Sequence, residues 1–455
     1  MILDKVFDLF VARSPVAVMF RGLMERIFNA ERIDALFVQT ARRQYEDTLL
    51  FSTVVAMLAE VVNRQRRSIN AAYLARAESM GVSVKAVYDK LGRVELPISE
   101  RLVRETAADL ATVIRRLHAA QKPLLKGYRL LIVDGNHLAG TDHRLGELRR
   151  TNAAALPGQA CVVLDPQLGL AVDVVACEDG HANERSLIPR ILERMQPGEC
   201  WLADRLYCTK SFLRAMAERE VKFIIRHHRT DVPVSALEKP RKLGRVETGV
   251  VWETAVRVDY PDGFSLALRQ ITIRLDKPTR NEEQEIQILT NLPARISGRL
   301  VARLYRSRWS IEQVFQDLAT TLRSEVNTLG YPKAALLGFC LALVTFNLLS
   351  TLKGALRSAH KHSDRPLSTY YLADEIAMTW RGMEIAIPDT YWKNTFASLT
   401  LPQLARLLRW LAKHTTVEKF LTHPWTPKRP QPKRESGYRG RHVATSRLLE
   451  QRRKQ

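Results

Sequence analysis

Three carboxylates with distinct local settings carry most of the chemical information in this chain. Asp134 lies in Leu130-Leu131-Ile132-Val133-Asp134-Gly135, Asp204 in Trp201-Leu202-Ala203-Asp204-Arg205, and Glu312 in Tyr305-Arg306-Ser307-Arg308-Trp309-Ser310-Ile311-Glu312. The two aspartates end short apolar runs that read as buried strands, and the glutamate falls on a helical stretch. Carboxylates at strand ends project into the crevice where open sheets place their ligands. Hard divalent cations take oxygen ligands, and a carboxylate cluster holding two of them can cut and rejoin phosphodiesters. Taken alone, an Asp after a strand is also what an ordinary turn offers. Tyr305, Arg308 and Glu312 are spaced to share one helix face. A phenol, a guanidinium and a carboxylate side by side suit phosphate binding next to a metal. Taken alone, that stripe also fits a surface helix laced by Arg–Glu pairs.

The bulk composition points the same way. The chain has 455 residues, enough for several domains and a sizeable core. Lys and Arg number 70 against 48 acids, a net charge of +22 that favours a polyanionic partner. The five cysteines, Cys161, Cys177, Cys200, Cys208 and Cys340, form no CxxC pair and are odd in number. That argues against zinc and against a disulfide framework, and fits a reducing cytoplasm. The N-terminus lacks the pattern of a signal peptide. Ala334 to Leu352 is apolar and about long enough to span a bilayer, but it carries Thr345, Asn347 and Ser350. A buried core helix is the expectation, with no membrane partner.

The elements that must position the acids follow from periodicity. Residues 1–125 read as helices and as a DNA-binding region. Thr48 to Arg64 ends in the basic Arg64-Gln65-Arg66-Arg67. Ser68 to Ser79, the Gly81 break and Ser83 to Leu91 form helix, turn, helix, which suits either a major-groove reader or a packed hairpin. Ser99 is expected to cap the next helix. From Tyr128 the order becomes β-β-β-α-β-α-β, a mixed sheet with its first and fourth strands adjacent. This catalytic domain is assigned to 126–228 and 286–352. Residues 229–285 read as a β-strand insert around the hairpin Pro261-Asp262-Gly263. Residues 353–426 read as a helical C-terminal region. There Leu401, Leu404, Leu408 and Leu411 form either a core face or a dimer contact. The tail 427–455 is basic, and disorder is expected.

Asp134-Gly135, Asp204-Arg205 with Tyr207, Leu289-Thr290-Asn291-Leu292-Pro293 and the Tyr305-Arg308-Glu312 spacing resemble the DDE transposases of bacterial insertion sequences. The closest likeness is to the insertion-sequence-four family, with its Y-x2-R-x3-E-x6-K signature, over roughly residues 125–350. The resemblance implies an α/β fold of ribonuclease H type: a five-stranded mixed sheet with a β-rich insert, flanked by helical regions. It implies that Asp134, Asp204 and Glu312 are the catalytic residues and the ligands of two Mg2+ or Mn2+ ions. DNA contacts are then expected from Tyr305, Arg308, Arg205, Arg323 and Trp252. Trp252 either stacks on a flipped base at a hairpin intermediate or packs within its own strand hairpin. The partners implied are double-stranded DNA, as terminal inverted repeats and as target, and a second copy of the chain in a synaptic dimer. The expected location is the cytoplasm, on the nucleoid. One departure stands out: the signature's last Lys falls on Ala319, with Arg323 one turn further on.

Three activities follow from these residues: an active transposase, a catalytically silent or domesticated DNA-binding protein with the same fold, and a ribonuclease H-like nuclease without strand transfer. His137, Asp142 and His143 follow Asp134 closely. They read as loop residues at phosphate or solvent rather than as metal ligands.

Overall fold

The computed structural model describes residues 3–44, 48–138, 156–279, 282–360 and 365–423. Its strands are β1 (Arg129–His137), β2 (Gln159–Asp165), β3 (Leu170–Cys177), β4 (Glu199–Ala203), β5 (Lys222–Arg226), β6 (Ser235–Ala236), β7 (Arg241–Val246), β8 (Gly249–Asp259), β9 (Ser265–Leu275) and β10 (Glu285–Thr290). They form one sheet in the order β3-β2-β1-β4-β5-β10-β9-β8-β6, with β7 also paired to β8. β1, β2 and β3 pair antiparallel, while β1–β4 and β4–β5 are parallel. The first five strands therefore have the ribonuclease H-like arrangement expected from the sequence, with strands one and four adjacent. The insert is not a separate layer. The long β8–β9 hairpin pairs with β10, and β10 pairs with β5, so the sheet runs on to ten strands.

Side chains alternate across the strands, and both faces of the central strands are covered. Leu130, Ile132, Val162, Cys200, Leu202, Ile224 and Ile288 join the larger core. Leu131, Val133, Cys161, Trp201, Ala203, Phe223 and Leu289 join a second core with Phe212, Leu213 and Met216. The latter three lie on the helix Lys210–Glu218, capped by Thr209, which accepts from the Phe212 amide. The first helix after β3 is short, a 3-10 turn over Glu184–Leu187 running into Ile188–Leu192.

The long helix Pro332–Ala359 is apolar enough to cross a membrane, and its most apolar window is wholly buried within the chain. It packs against the helices Leu96–Arg116, Phe51–Val62 and Leu401–Lys413 and against β3. Its polar residue Asn347 is fully buried. The side-chain amide donates to the Ala171 carbonyl and accepts from the Ala171 amide, both at 2.8 Å. Asn347 thus satisfies backbone groups on the edge strand β3 that would otherwise be buried without partners. Glu100 ties the N-terminal helices to the same strand. It is buried, accepts from the Ala176 amide at 2.9 Å and pairs with Arg190 at 2.5 Å.

Several local expectations change. Ser68 and Ser83 cap helices, and Gly81 turns with φ 62. The helix expected over 68–79 is two pieces, Ile69–Leu74 and Ala77–Met80. Ser99 does not cap: its hydroxyl is buried inside Leu96–Arg116, which begins with Pro97 in the first turn, where a missing N–H costs nothing. Leu404, Leu408 and Leu411 are buried within the chain, and their helix packs on Pro332–Ala359, so this face is core and not a dimer contact. The tail from 424 lies outside the described residues.

Replacing Asn347 with Leu should destabilise the protein by about 2–4 kcal/mol, because it strands both backbone groups of Ala171. Urea denaturation of the N347L variant tests this, and a wild-type midpoint would contradict it.

Candidate active site

The β1–β4 register positions the two aspartates. The parallel pairs from Arg129↔Glu199 to Ile132↔Leu202 keep a constant offset, 202 − 132 = 70. The aspartates have the same separation, 204 − 134 = 70, so they stand level on neighbouring strands. By strand alternation both follow Ile132 and Leu202 towards the larger core. At this end of the sheet that face is covered by the helix Trp309–Thr320, which touches β1 and buries Ile311, Val314 and Leu318 in the same core. Glu312 lies in the first turn of that helix.

The stretch carrying Tyr305, Arg308 and Glu312 is not one uniform helix. Gly298–Arg306, capped by Ser297, gives way to Trp309–Thr320 through Ser307 and Arg308. Backbone bonds tighten to three-residue spacing there: Ser307 to Leu304, Arg308 to Tyr305 and Ile311 to Arg308. The Ser307 hydroxyl donates to the Leu304 carbonyl at 2.6 Å, competing for the acceptor of the preceding turn. Trp309 is 70% exposed, while Tyr305 is buried.

Arg308 sits between two of the acids. It donates through one terminal nitrogen to Asp134 Oδ2 at 2.7 Å and through the other to Glu312 Oε1 at 2.5 Å. Its side chain is 18% exposed, and that of Asp134 19%. Burial, with repulsion from Asp204 and Glu184, pushes the Asp134 carboxyl up to about 6 against the pull of Arg308 and the Gly135 amide. Burial also holds the Tyr305 phenol neutral well past its ordinary range, with Asp204 reinforcing the shift.

All three groups are carboxylates, the donor type that a hard divalent cation takes. Among the described residues, however, no three His, Cys, Asp or Glu side chains stand at metal-holding spacing. The guanidinium lies where their charges would otherwise meet.

Glu184 is the residue that sequence reasoning missed. A Cβ built on Gly135 would lie 2.2 Å from its carboxyl carbon, so Gly135 leaves room for this acid. Tyr207 donates to Glu184 Oε2 at 3.4 Å, and His137 Nε2 lies 3.6 Å from Oε1. Burial and the neighbouring Asp204 raise the Glu184 carboxyl. Glycine at 135 signalled a close approach, but nothing in the sequence named what approaches.

The remaining expected residues scatter. Arg205 follows Asp204 and pairs with Glu283 at 3.4 Å; Arg226 shares that glutamate at 2.5 Å. Trp252 lies on β8 opposite Thr272, with the Arg274 guanidinium over its ring at 4.9 Å and its indole nitrogen buried without a partner. Arg323 donates to the backbone carbonyls of Arg66 and Arg67, and Arg64 donates to the Thr320 carbonyl. Arg323 therefore braces the basic loop 64–67 against the C-terminal end of the Glu312 helix. Asp142 and His143 lie outside the described residues.

In metal-free protein, Asp134→Asn should raise stability at pH 8 by an amount on the order of 1–3 kcal/mol. The folded-state pKa of Asp134 is raised, so its ionisation costs the native state. The wild type holds its full stability below the unfolded pKa of about 4 and loses this part as pH rises through about 6. The gap between the two proteins should close on acidification over that window. Thermal melts across pH check it; a constant gap contradicts it.

The family described as "Transposase DDE domain" matches residues 125–348. No curated protein matches the chain. A solved structure, the piggyBac transposase synaptic complex with hairpin DNA determined by cryo-EM, is similar at 12% identity over 84% of each chain, with a TM-score of 0.38. The central part of this chain, residues 125–348, thus matches a transposase DDE domain, and the match includes all three acids.

Proposed function

We propose that this protein is a DNA transposase of the insertion-sequence-four type, which cleaves the ends of a mobile element and joins them to target DNA. The observation that supports this most strongly is the level placement of Asp134 and Asp204 beneath the helix bearing Glu312, inside the segment that matches the transposase domain. Asp134, Asp204 and Glu312 would hold two Mg2+ or Mn2+ ions. Bound there, the ions would supply charge neutralisation and an activated water for phosphodiester cleavage and transfer. Arg308 provides cationic hydrogen-bond donors beside the acids, and Arg205, paired with Glu283, follows Asp204 in the chain. Tyr305, with its phenol kept neutral, provides a donor that does not add negative charge. Glu184, held by Tyr207 behind Gly135, fixes the strand from which Asp134 projects.

DNA would also meet the face where the N-terminal helices join the Glu312 helix. Arg64, Arg67 and Arg323 lie close enough to repel one another, and none has an acidic partner among the described residues. Such a cluster favours phosphate. A homodimer bringing two element ends together, acting on the nucleoid in the cytoplasm, completes the reading.

A second reading is a DNA-binding protein that no longer cuts. Ala319 favours it, since an exposed alanine stands where the family signature has Lys.

The two readings part on one experiment. Purified protein is incubated with DNA carrying the terminal repeats that flank its gene, in Mg2+ or in Ca2+. Cutting at the repeat ends in Mg2+, lost in Asp204→Ala while binding in Ca2+ persists, is the expected result. Binding without cutting favours the silent protein, and sequence-indifferent nicking favours a plain nuclease. Separately, Arg64→Gln and Arg67→Gln should each lower the slope of log affinity for duplex DNA against log salt by about 1. An unchanged slope removes this face from the DNA path.

A further inference from the structure

The Arg308 guanidinium is the one cation seen among the acids, and its geometry is specific. It is largely buried, and its two terminal nitrogens reach two different carboxylates, Asp134 and Glu312, at 2.7 and 2.5 Å. Asp204 acts on it as well, through charge. Without a positive charge here, level carboxylates on adjacent strands and a third acid from the helix would face one another in a partly desolvated pocket. The backbone at Arg308 sits in the tight turn between two helices, so the side chain is anchored at a joint rather than mid-helix.

We infer that Arg308 is a tethered counter-ion: it takes the cation's place between Asp134 and Glu312 and must be displaced before those acids can close on a divalent ion. This rests on the proposed metal-dependent reading of the same site. Displacement would leave the guanidinium charged and unpartnered next to the acids, free to fork onto a phosphate. Metal loading and phosphate binding would then favour each other, because each takes up one side of the Arg308–carboxylate pair. Arg308 is in this sense a positioning residue whose first partner is the protein itself.

The test is Mn2+ binding to the full chain without DNA, read from free Mn2+ by electron paramagnetic resonance. A competitor inside the site weakens apparent affinity by the fraction of molecules left competent. Arg308→Gln should therefore bind Mn2+ more tightly than wild type, by roughly tenfold. Arg308→Lys, whose single ammonium cannot fork to both acids, should fall between them. Asp134→Asn should weaken binding in either background. Mn2+ should also raise the melting temperature of Arg308→Gln more than that of wild type. Equal or weaker Mn2+ binding in Arg308→Gln, with binding still dependent on Asp134, overturns the counter-ion and leaves the metal site standing. Mn2+ binding indifferent to Asp134 removes the metal reading beneath it. If Arg308→Gln does not fold without Mn2+, Arg308→Lys decides: tighter binding than wild type supports the inference, and unchanged binding overturns it.

Discussion

Carboxylates brought together out of water repel, and the fold around this site turns on that constraint. The β1–β4 register sets Asp134 and Asp204 side by side, and the helix above brings Glu312 to the same end of the sheet. Such a cluster costs the native state stability unless a cation enters it. Among the described residues a cation that reaches these acids is Arg308, supplied from a tight turn at the start of the Glu312 helix. Burial, with repulsion from Asp204 and Glu184, lifts the Asp134 carboxyl to about 6 against the pull of Arg308. A site left partly uncompensated is suited to a group that arrives later with more charge.

The rest of the architecture holds the pocket in place. Two apolar layers cover the central strands, so β1 and β4 cannot shift relative to each other without exposing their buried alternation. The helix Pro332–Ala359 runs through the larger core and is tied to the sheet edge by Asn347. Glu100, with Arg190, ties the N-terminal helices to β3. Arg64 and Arg323 connect the basic loop to the far end of the Glu312 helix. A load on the N-terminal helices can thus reach the Glu312 helix through direct bonds.

Much of this was legible in the residues. The apolar runs before Asp134 and Asp204 gave the strands, because buried parallel strands read as continuous hydrophobic stretches. Thr209 and Ser297 marked helix starts through their hydroxyls. The polar atoms in the long apolar helix pointed to a protein interior, and Asn347 bears that out. What escaped were interactions set by distant partners. Glu184 reaches the site only because the chain after β3 folds back beneath Gly135, which no local pattern encodes. Ser99 looked like a cap because its residue type favours that position, yet Pro97 starts the helix earlier. Arg308 read as a phosphate ligand, and that it first binds the acids depends on a register between residues far apart in sequence.

The central claim is that these carboxylates form one cation site. It is tested most directly by crystals grown with Mn2+ and examined by anomalous scattering at the manganese edge. The expected result is a manganese peak held by Asp134, Asp204 and Glu312, with the Arg308 side chain moved away from Asp134 and Glu312. Manganese bound elsewhere on the protein, with Arg308 still joining Asp134 to Glu312, would contradict it.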